Sequence, residues 1–286
     1  MGKIGLLLEG GGMKCTYGAG VLDKFNDDNV TFDYVIGVSA GSANGASYLA
    51  GQRGRNIRFY TELISDPDYM GIRCFLRNGE MFGIRYIYAD LSNEGGKAPL
   101  DYEKVLENPA EYYVVATNAI TGKPEYFTKT DMKKNDYRAI MCSSAIPAAC
   151  RPVFFKNRYY FDGGVSDPLP VKKMLEDGCD RIVAILSKPR GYVKKPESFR
   201  TFYHLKLGKY PKMKEALDNR HILYTEEQKE LYRLEEEGKA FIFAPSAQIK
   251  MGTFSTDSKT QEKLYQLGLD DYGELKESLA AFMAAE

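Results

Sequence analysis

The five residues Ile4-Gly5-Leu6-Leu7-Leu8 run without a polar side chain into Glu9-Gly10-Gly11-Gly12. An apolar run of this length, closed by turn glycines, marks a strand covered on both faces, which requires helices above and below a largely parallel sheet. The next segments alternate accordingly. Residues 17–26 have helical spacing through Val21, Leu22 and Phe25, 34–37 read as a second short strand, and 42–49 as a helix of small residues. Residues 112–118 and 125–128 read as strands, 136–144 as a helix, and 159–162 as an edge-type strand that stops at Gly163-Gly164. A helix over 170–177 ends near Gly178, and 181–186 form another buried strand. Strands and helices at these intervals predict an α/β fold, a parallel-sheet three-layer sandwich.

After Ser187 the character changes. Residues 188–214 hold nine Lys/Arg and one acidic residue, Glu197, whereas residues from 215 onward hold eight basic and fifteen acidic residues. The spacing predicts helices over 213–237, 259–267 and 272–283, with a last strand over 241–243. The expected division is an α/β domain (4–187), a basic connector (188–214) and a mostly helical acidic C-terminal region (215–286). Lys+Arg and Asp+Glu both total 39, and a net charge of zero argues against a dedicated nucleic-acid binder. The five cysteines, Cys15, Cys74, Cys142, Cys150 and Cys179, are odd in number and lack C-x-x-C spacing, so they read as reduced thiols. The run at 4–8 is too short for a signal peptide, and no stretch approaches the ~20 apolar residues that cross a bilayer. The expectation is a cytoplasmic protein that meets any lipid at the membrane periphery or in solution.

Three motifs carry the chemistry. Gly37-Val38-Ser39-Ala40-Gly41 is G-x-S-x-G between an apolar strand and a helix, the setting in which a serine is held on a tight, exposed turn. Ser39 also stands at a helix N-terminus, where backbone N–H groups favour developing negative charge. Glu9-Gly10-Gly11-Gly12-Met13-Lys14 can gather N–H groups around an anion. As a dinucleotide loop it fails, because position 15 is Cys and Asp33 precedes the second strand instead of ending it; no G-K-[ST] follows for a P-loop. An oxyanion hole formed by Gly10, Gly11, Gly12 and Met13 is the reading that remains. A serine needs a base, and the two histidines, His204 and His221, lie beyond the α/β segments. Asp162, at a strand end before Gly163-Gly164, is the best-placed candidate carboxylate, although by local sequence alone the reading as a simple turn aspartate is the stronger one.

The G-G-G-x-K loop, the G-x-S-x-G about 25 residues later and the D-G-G further on resemble the patatin-like phospholipases. Gly20-Val21-Leu22, Ser144-Ala145-Ile146-Pro147 and Pro168-Leu169-Pro170-Val171 extend the resemblance over about residues 4 to 186. It implies that Ser39 is the nucleophile and Asp162 its base, without histidine, metal or cofactor. It further implies an acyl-enzyme and a lipid or small ester as substrate. Two positions depart from the family pattern: Glu9 stands where aspartate is usual and Cys15 where glycine is usual. Lys14 is positioned for a lipid phosphate or, equally, for solvent. An acyltransferase or thioesterase with the same dyad, or a regulatory interaction module, are the alternatives.

Two further stretches bear on lipid contact. Residues 69–91 mix Ile72, Phe75, Leu76, Met81, Phe82, Ile84, Tyr86 and Ile87 with Arg73, Arg77 and Arg85, as packed helices or as an acyl-chain groove or lid. The basic connector, with Tyr192, Phe199, Phe202, Tyr203 and Tyr210, is expected to pair with the acidic C-terminal region or, second, to touch an anionic membrane.

Overall fold

The computed structural model describes residues 2–249, 251 and 256–285. Its elements are β1 (Ile4–Leu8), α1 (Thr16–Asp27), β2 (Tyr34–Val38), α2 (Ala40–Leu49), α3 (Arg55–Tyr60), α4 (Ile72–Asn78) and α5 (Tyr102–Glu107). There follow β3 (Glu111–Asn118), β4 (Pro124–Thr128), α6 (Arg138–Ser144), β5 (Val153–Phe155), β6 (Arg158–Asp162), α7 (Val171–Glu176) and β7 (Arg181–Ile185). The chain closes with α8 (Arg200–Lys206), α9 (Pro211–Glu236), β8 (Ala240–Phe243) and α10 (Ser258–Ala284).

The eight strands form one sheet in the order β5-β6-β3-β2-β1-β7-β8, with β4 also on β3. The block from β3 to β8 is parallel, as the buried apolar runs require. Strands β4, β5 and β6 are antiparallel additions, so the sheet is mixed. Side chains alternate across it. Leu6, Leu8 and Val35 pack with α1, α2 and α10, whereas Leu7, Ile36 and Val38 pack with α7 and α9. The result is three layers, with β1 at the centre of the parallel block.

One feature of register sets up the site. Along β3, β2 pairs with residues 111–115 and β6 with residues 116–118. Val38 therefore lies opposite Val115 and Asp162 opposite Ala116; because β4 takes the other edge of β3, β2 and β6 follow each other along one edge, and the residue after β2 meets the last residue of β6.

The C-terminal region is built into this sandwich. β8 pairs in parallel with β7, α9 covers one face of the sheet, and α10 lies along α1. The expected helices at 259–267 and 272–283 are one continuous helix, Ser258–Ala284, and the expected break spans Gly268. That glycine serves packing: a β-carbon there would lie 2.2 Å from the Tyr17 carbonyl oxygen, and one at Gly20 would lie 2.3 Å from the Tyr265 carbonyl oxygen. The two helices cross backbone to backbone through these residues. Gly268→Ala is expected to push them apart and to cost about 1–3 kcal/mol, the range for overpacking. Urea denaturation of the full chain measures this, and an unchanged midpoint would contradict the close crossing.

Candidate active site

Ser39 joins β2 to α2 with φ +53° and ψ −131°, a left-handed conformation that L-residues rarely adopt. Close approach forces the flanking glycines: a β-carbon at Gly37 would lie 2.4 Å from Ser42 Cα, and one at Gly41 2.5 Å from the Leu8 carbonyl oxygen. The strained turn is held in place by its neighbours. The Ser39 N–H donates to Ser143 Oγ (2.8 Å), and its carbonyl accepts from the Ser42 N–H (2.9 Å) and hydroxyl (2.6 Å).

Asp162 ends β6. Its backbone N–H donates to the Ala145 carbonyl (2.9 Å) and its carbonyl accepts from the Thr117 hydroxyl (2.7 Å). The first bond gives the Ser144-Ala145-Ile146-Pro147 segment a physical role: it fixes the aspartate from behind. Oδ1 accepts from the Gly164 N–H at 2.8 Å, across the turn opened by Gly163. The Ser39 side chain faces the same carboxylate in the cleft and acts to lower its pKa. Both residues are buried, at 7% and 6% exposure. Burial raises the Asp162 carboxyl above its ordinary range; the charge of Arg220, the nearby Ser39 side chain and the bond from the Gly164 N–H offset only part of that rise.

The N–H groups of Gly10, Gly11, Gly12 and Met13 donate to no acceptor among the described residues. Gly10 to Gly12 border the same cleft as Ser39 and Asp162. Cys15 has φ −68°, an ordinary helical value, so glycine's conformational freedom is not needed there. Glu9 uses its extra methylene to reach far. Its carboxylate accepts from the Ser187 N–H (2.6 Å), the Ser187 hydroxyl (3.0 Å) and the Tyr224 hydroxyl (3.0 Å), and it pairs with Lys188. It thereby ties the glycine loop to the exit of β7 and to α9.

The cleft encloses about 290 Å³, and Lys14, Lys188, Lys194, Glu197, Arg220 and Tyr224 complete its wall. None of the last five was found as a site residue from sequence. They lie more than 100 residues from Ser39, and only the unusual Glu9 hinted at a distant partner. A second, apolar pocket of about 70 Å³ shares Gly12 and adds Met13 and Ala40, the neighbour of Ser39. Tyr69, Met70, Phe82 and Ile87 from the 69–91 segment line it, so that segment is largely packed core with one groove-forming face. Ile72, Phe75 and Leu76 of α4 are exposed.

His204 and His221 border neither cavity; His204 Nε2 lies 3.0 Å from Asp218 Oδ1. The basic connector pairs with the acidic C-terminal region through Arg190–Glu235, Arg200–Asp218 and Lys212–Glu215. All five cysteines are buried and free.

The sequence profile of the patatin-like phospholipases matches residues 6–175, which hold the glycine loop, the Ser39 turn and Asp162. The chain belongs to that family. A second profile, a domain of unknown function (DUF6363), matches residues 210–284. Among relatives of the patatin-like chain, the uncharacterized protein YjjU of Escherichia coli (strain K12) is 28% identical over 204 residues, covering 70% of this chain and 56% of that one. The lysophospholipase nte1 of Aspergillus terreus (strain NIH 2624 / FGSC A1156) is 23% identical over 198 residues, covering 64% of this chain and 12% of that protein. The chain thus spans about half the length of the first relative and a small part of the second. VipD from Legionella pneumophila, known from a crystal structure, superposes with a TM-score of 0.48 at 12% identity, over 97% of this chain and 67% of that one. No helix among the described residues is long and apolar enough to cross a membrane.

Proposed function

We propose that this chain hydrolyses acyl esters of lipids through a Ser39–Asp162 dyad and an acyl-enzyme. The observation that carries the reading is that Ser39, on its strained turn, and the buried Asp162 carboxylate border one cleft, beside four uncommitted N–H groups at residues 10–13. Asp162 takes the proton from Ser39 Oγ as that oxygen bonds to the ester carbonyl carbon. The oxyanion that forms is stabilised by the N–H groups of Gly10, Gly11, Gly12 and Met13. When the tetrahedral adduct collapses, the bond to the alcohol breaks and Asp162 returns the proton to the leaving oxygen. Water, deprotonated by the same carboxylate, then releases the fatty acid and regenerates Ser39. The pocket beside Met13 and Ala40 suits an apolar chain. The exposed Ile72, Phe75 and Leu76, interleaved with Arg73 and Arg77, suit a face that rests on an anionic membrane.

A fluorophosphonate probe and short-chain p-nitrophenyl esters test the reading. The wild type should label and turn over, and Ser39→Ala should do neither. A wild type that does neither, on short esters or mixed micelles, sinks the proposal. The pH profile adds a second check. Asp162 acts as a base only when ionised, and its pKa is raised, so activity should climb with pH along an acid limb centred above the ordinary aspartate value.

A further inference from the structure

We infer that the esters this chain cleaves carry a short acyl group that itself ends in a carboxylate, and that Arg55 receives that carboxylate at the far end of the apolar pocket beside Ser39. The reaction is taken from the Ser39–Asp162 reading; the Arg55 site stands on its own observations. Arg55 opens α3 and is the one charged side chain among the described residues that border the pocket. Its partners are all neutral. Nε donates to the carbonyls of Ala98 (3.1 Å) and Pro99 (3.3 Å), Nη1 to Ser47 Oγ (2.7 Å) and Nη2 to Ser92 Oγ (3.1 Å). The guanidinium also lies over the Phe59 ring, 4.9 Å from its centroid. No carboxylate of the described residues pairs with it, whereas Arg220, which borders the dyad's cleft, is held by Glu197. Burial pulls the Arg55 pKa down to about 10, so the group is still a cation at neutral pH, partly removed from water and without a counter-charge. Such a charge is unfavourable until an anion meets it. One N–H on each of Nη1 and Nη2 has no acceptor among the described residues, and two free donors match the two oxygens of one carboxylate.

The course of the pocket fixes where that carboxylate sits on the substrate. Ala40, Ala43 and Asn44 line it from one face of α2, at helical spacing, beginning one residue after Ser39. Ser47, the next residue on that face, holds Arg55. From Ala40 to Ser47 the helix rises about 10 Å, at 1.5 Å per residue. An acyl group bound to Ser39 Oγ and lying along this face therefore points its free end at the guanidinium. Tyr88 lines the same pocket; its hydroxyl accepts from Ser144 Oγ at 3.2 Å and feels the charges of both Arg55 and Asp162, as a group between the two ends does. Volume sets the length: about 70 Å³ holds roughly five to seven water-sized groups at ~10–15 Å³ each, the size of an adipoyl chain. Met13, Phe59 and Ile87 offer its methylenes apolar walls. An unsubstituted chain of that length would leave the guanidinium unpaired. The substrate class is then an ester, of a lipid alcohol or a smaller one, whose acyl arm is short and carboxyl-ended. The ester C–O bond breaks, water supplies the hydroxyl of the new carboxyl group, the alcohol leaves with a proton, and the acid released is a dicarboxylic one.

Matched p-nitrophenyl esters test this on the full chain. The hydrogen adipate carries the terminal carboxylate, the methyl adipate caps it, and the hexanoate lacks it. In the wild type kcat/KM for the hydrogen adipate should exceed that for each neutral ester at least tenfold. Arg55→Met should lower that ratio at least tenfold, and Arg55→Lys, which keeps a cation, should recover part of it. Arg55 also ties residues 98 and 99 to α2, so urea midpoints are measured alongside; a purely structural Arg55 would move the midpoint and leave the ratio alone. A wild-type ratio near one overturns the proposal without any variant, and a preference that survives in folded Arg55→Met overturns the role of Arg55. Titration calorimetry of the Ser39→Ala chain gives a readout free of turnover: monomethyl adipate should bind at least ten times more tightly than dimethyl adipate. If the wild type cleaves no ester and no fluorophosphonate attaches, the dyad reading fails by itself. The calorimetry then decides the Arg55 site: tighter binding of the monomethyl ester upholds it, and equal binding of the two esters overturns it.

Discussion

Asp162→Asn is expected to lower kcat by roughly 10²- to 10⁴-fold, the range for loss of a positioned general base, while leaving the fold intact. The asparagine keeps the side-chain shape, and its oxygen can still accept from the Gly164 N–H as Asp162 Oδ1 does at 2.8 Å. What it removes is the proton acceptor that the proposed dyad assigns to Ser39. No histidine borders the cleft to take over that role, so the loss has no local substitute. The acid limb of the pH profile should vanish along with the rate, because the group that titrates is gone. Fluorophosphonate labelling should slow in parallel, since the same hydroxyl must be activated. A variant within fivefold of wild type would assign the base elsewhere. Stability should move the other way. A carboxyl whose folded pKa is raised contributes stability that is fully present below its unfolded pKa and is lost as pH rises through the folded value. At neutral pH the wild type therefore carries the cost of a buried carboxylate, and Asp162→Asn should be the more stable protein there, a trade of stability for activity. Urea midpoints at pH 4 and pH 7.5 measure the difference, which should grow with pH.

The parts of this site that could be read in the sequence are those set by local backbone demands. Gly37 and Gly41 are dictated by contacts within a strand–turn–helix unit, so their spacing around Ser39 survives as a pattern. The bare fragment around Asp162 was ambiguous because a turn aspartate and a base look alike over four residues. Their difference lies in the register of β2 and β6 on β3, which is a long-range fact. Cys15 departs from the expected glycine at no conformational cost, because its φ is ordinary. Glu9 departs from the expected aspartate because it spans to Ser187, Lys188 and Tyr224, partners 178 to 215 residues away. The same distance hid the cationic wall. Lys188 and Lys194 belong to a stretch whose charge read as a connector and Arg220 to the acidic C-terminal region, and only the folding of α9 and the chain after β7 onto the sheet brings them to the cleft of Ser39. Gly268 misled for the opposite reason: a glycine inside a helical pattern reads as a stop, and here it is the point at which α10 touches α1.

Glu227→Gln is expected to stabilise the protein at alkaline pH and to leave it nearly unchanged at pH 5. Glu227, on α9, accepts from the Leu169 N–H at 2.8 Å and is hydrogen-bonded to the side chain of Asp167, whose Oδ2 also accepts from the Tyr126 hydroxyl at 2.5 Å. Two carboxyl groups in contact, both largely removed from water, cannot both ionise cheaply, so one proton is shared between them. Burial raises both pKa values; the neighbouring Asp167 charge raises that of Glu227 further, while Glu176 raises and Lys173 lowers that of Asp167. The sign follows. With folded pKa values above the unfolded ones, stability is full below the ordinary carboxylate range and falls as pH rises, by up to about 1.4 kcal/mol per pH unit for each proton lost. Glutamine keeps an N–H donor toward Asp167 and removes the titration, so the slope should flatten. Urea denaturation of wild type and variant at pH 5, 7 and 9 should show a difference that widens with pH, whereas one independent of pH would mean that no proton is shared. The location makes the effect more than structural. Asp167 lies five residues after Asp162, and Glu227 shares α9 with Arg220 and Tyr224, so ionising the pair loosens the joint between the Asp162 turn and the helix that walls the cleft. An activity that declines at high pH before the protein unfolds, and that Glu227→Gln restores, would be the functional trace of that shared proton.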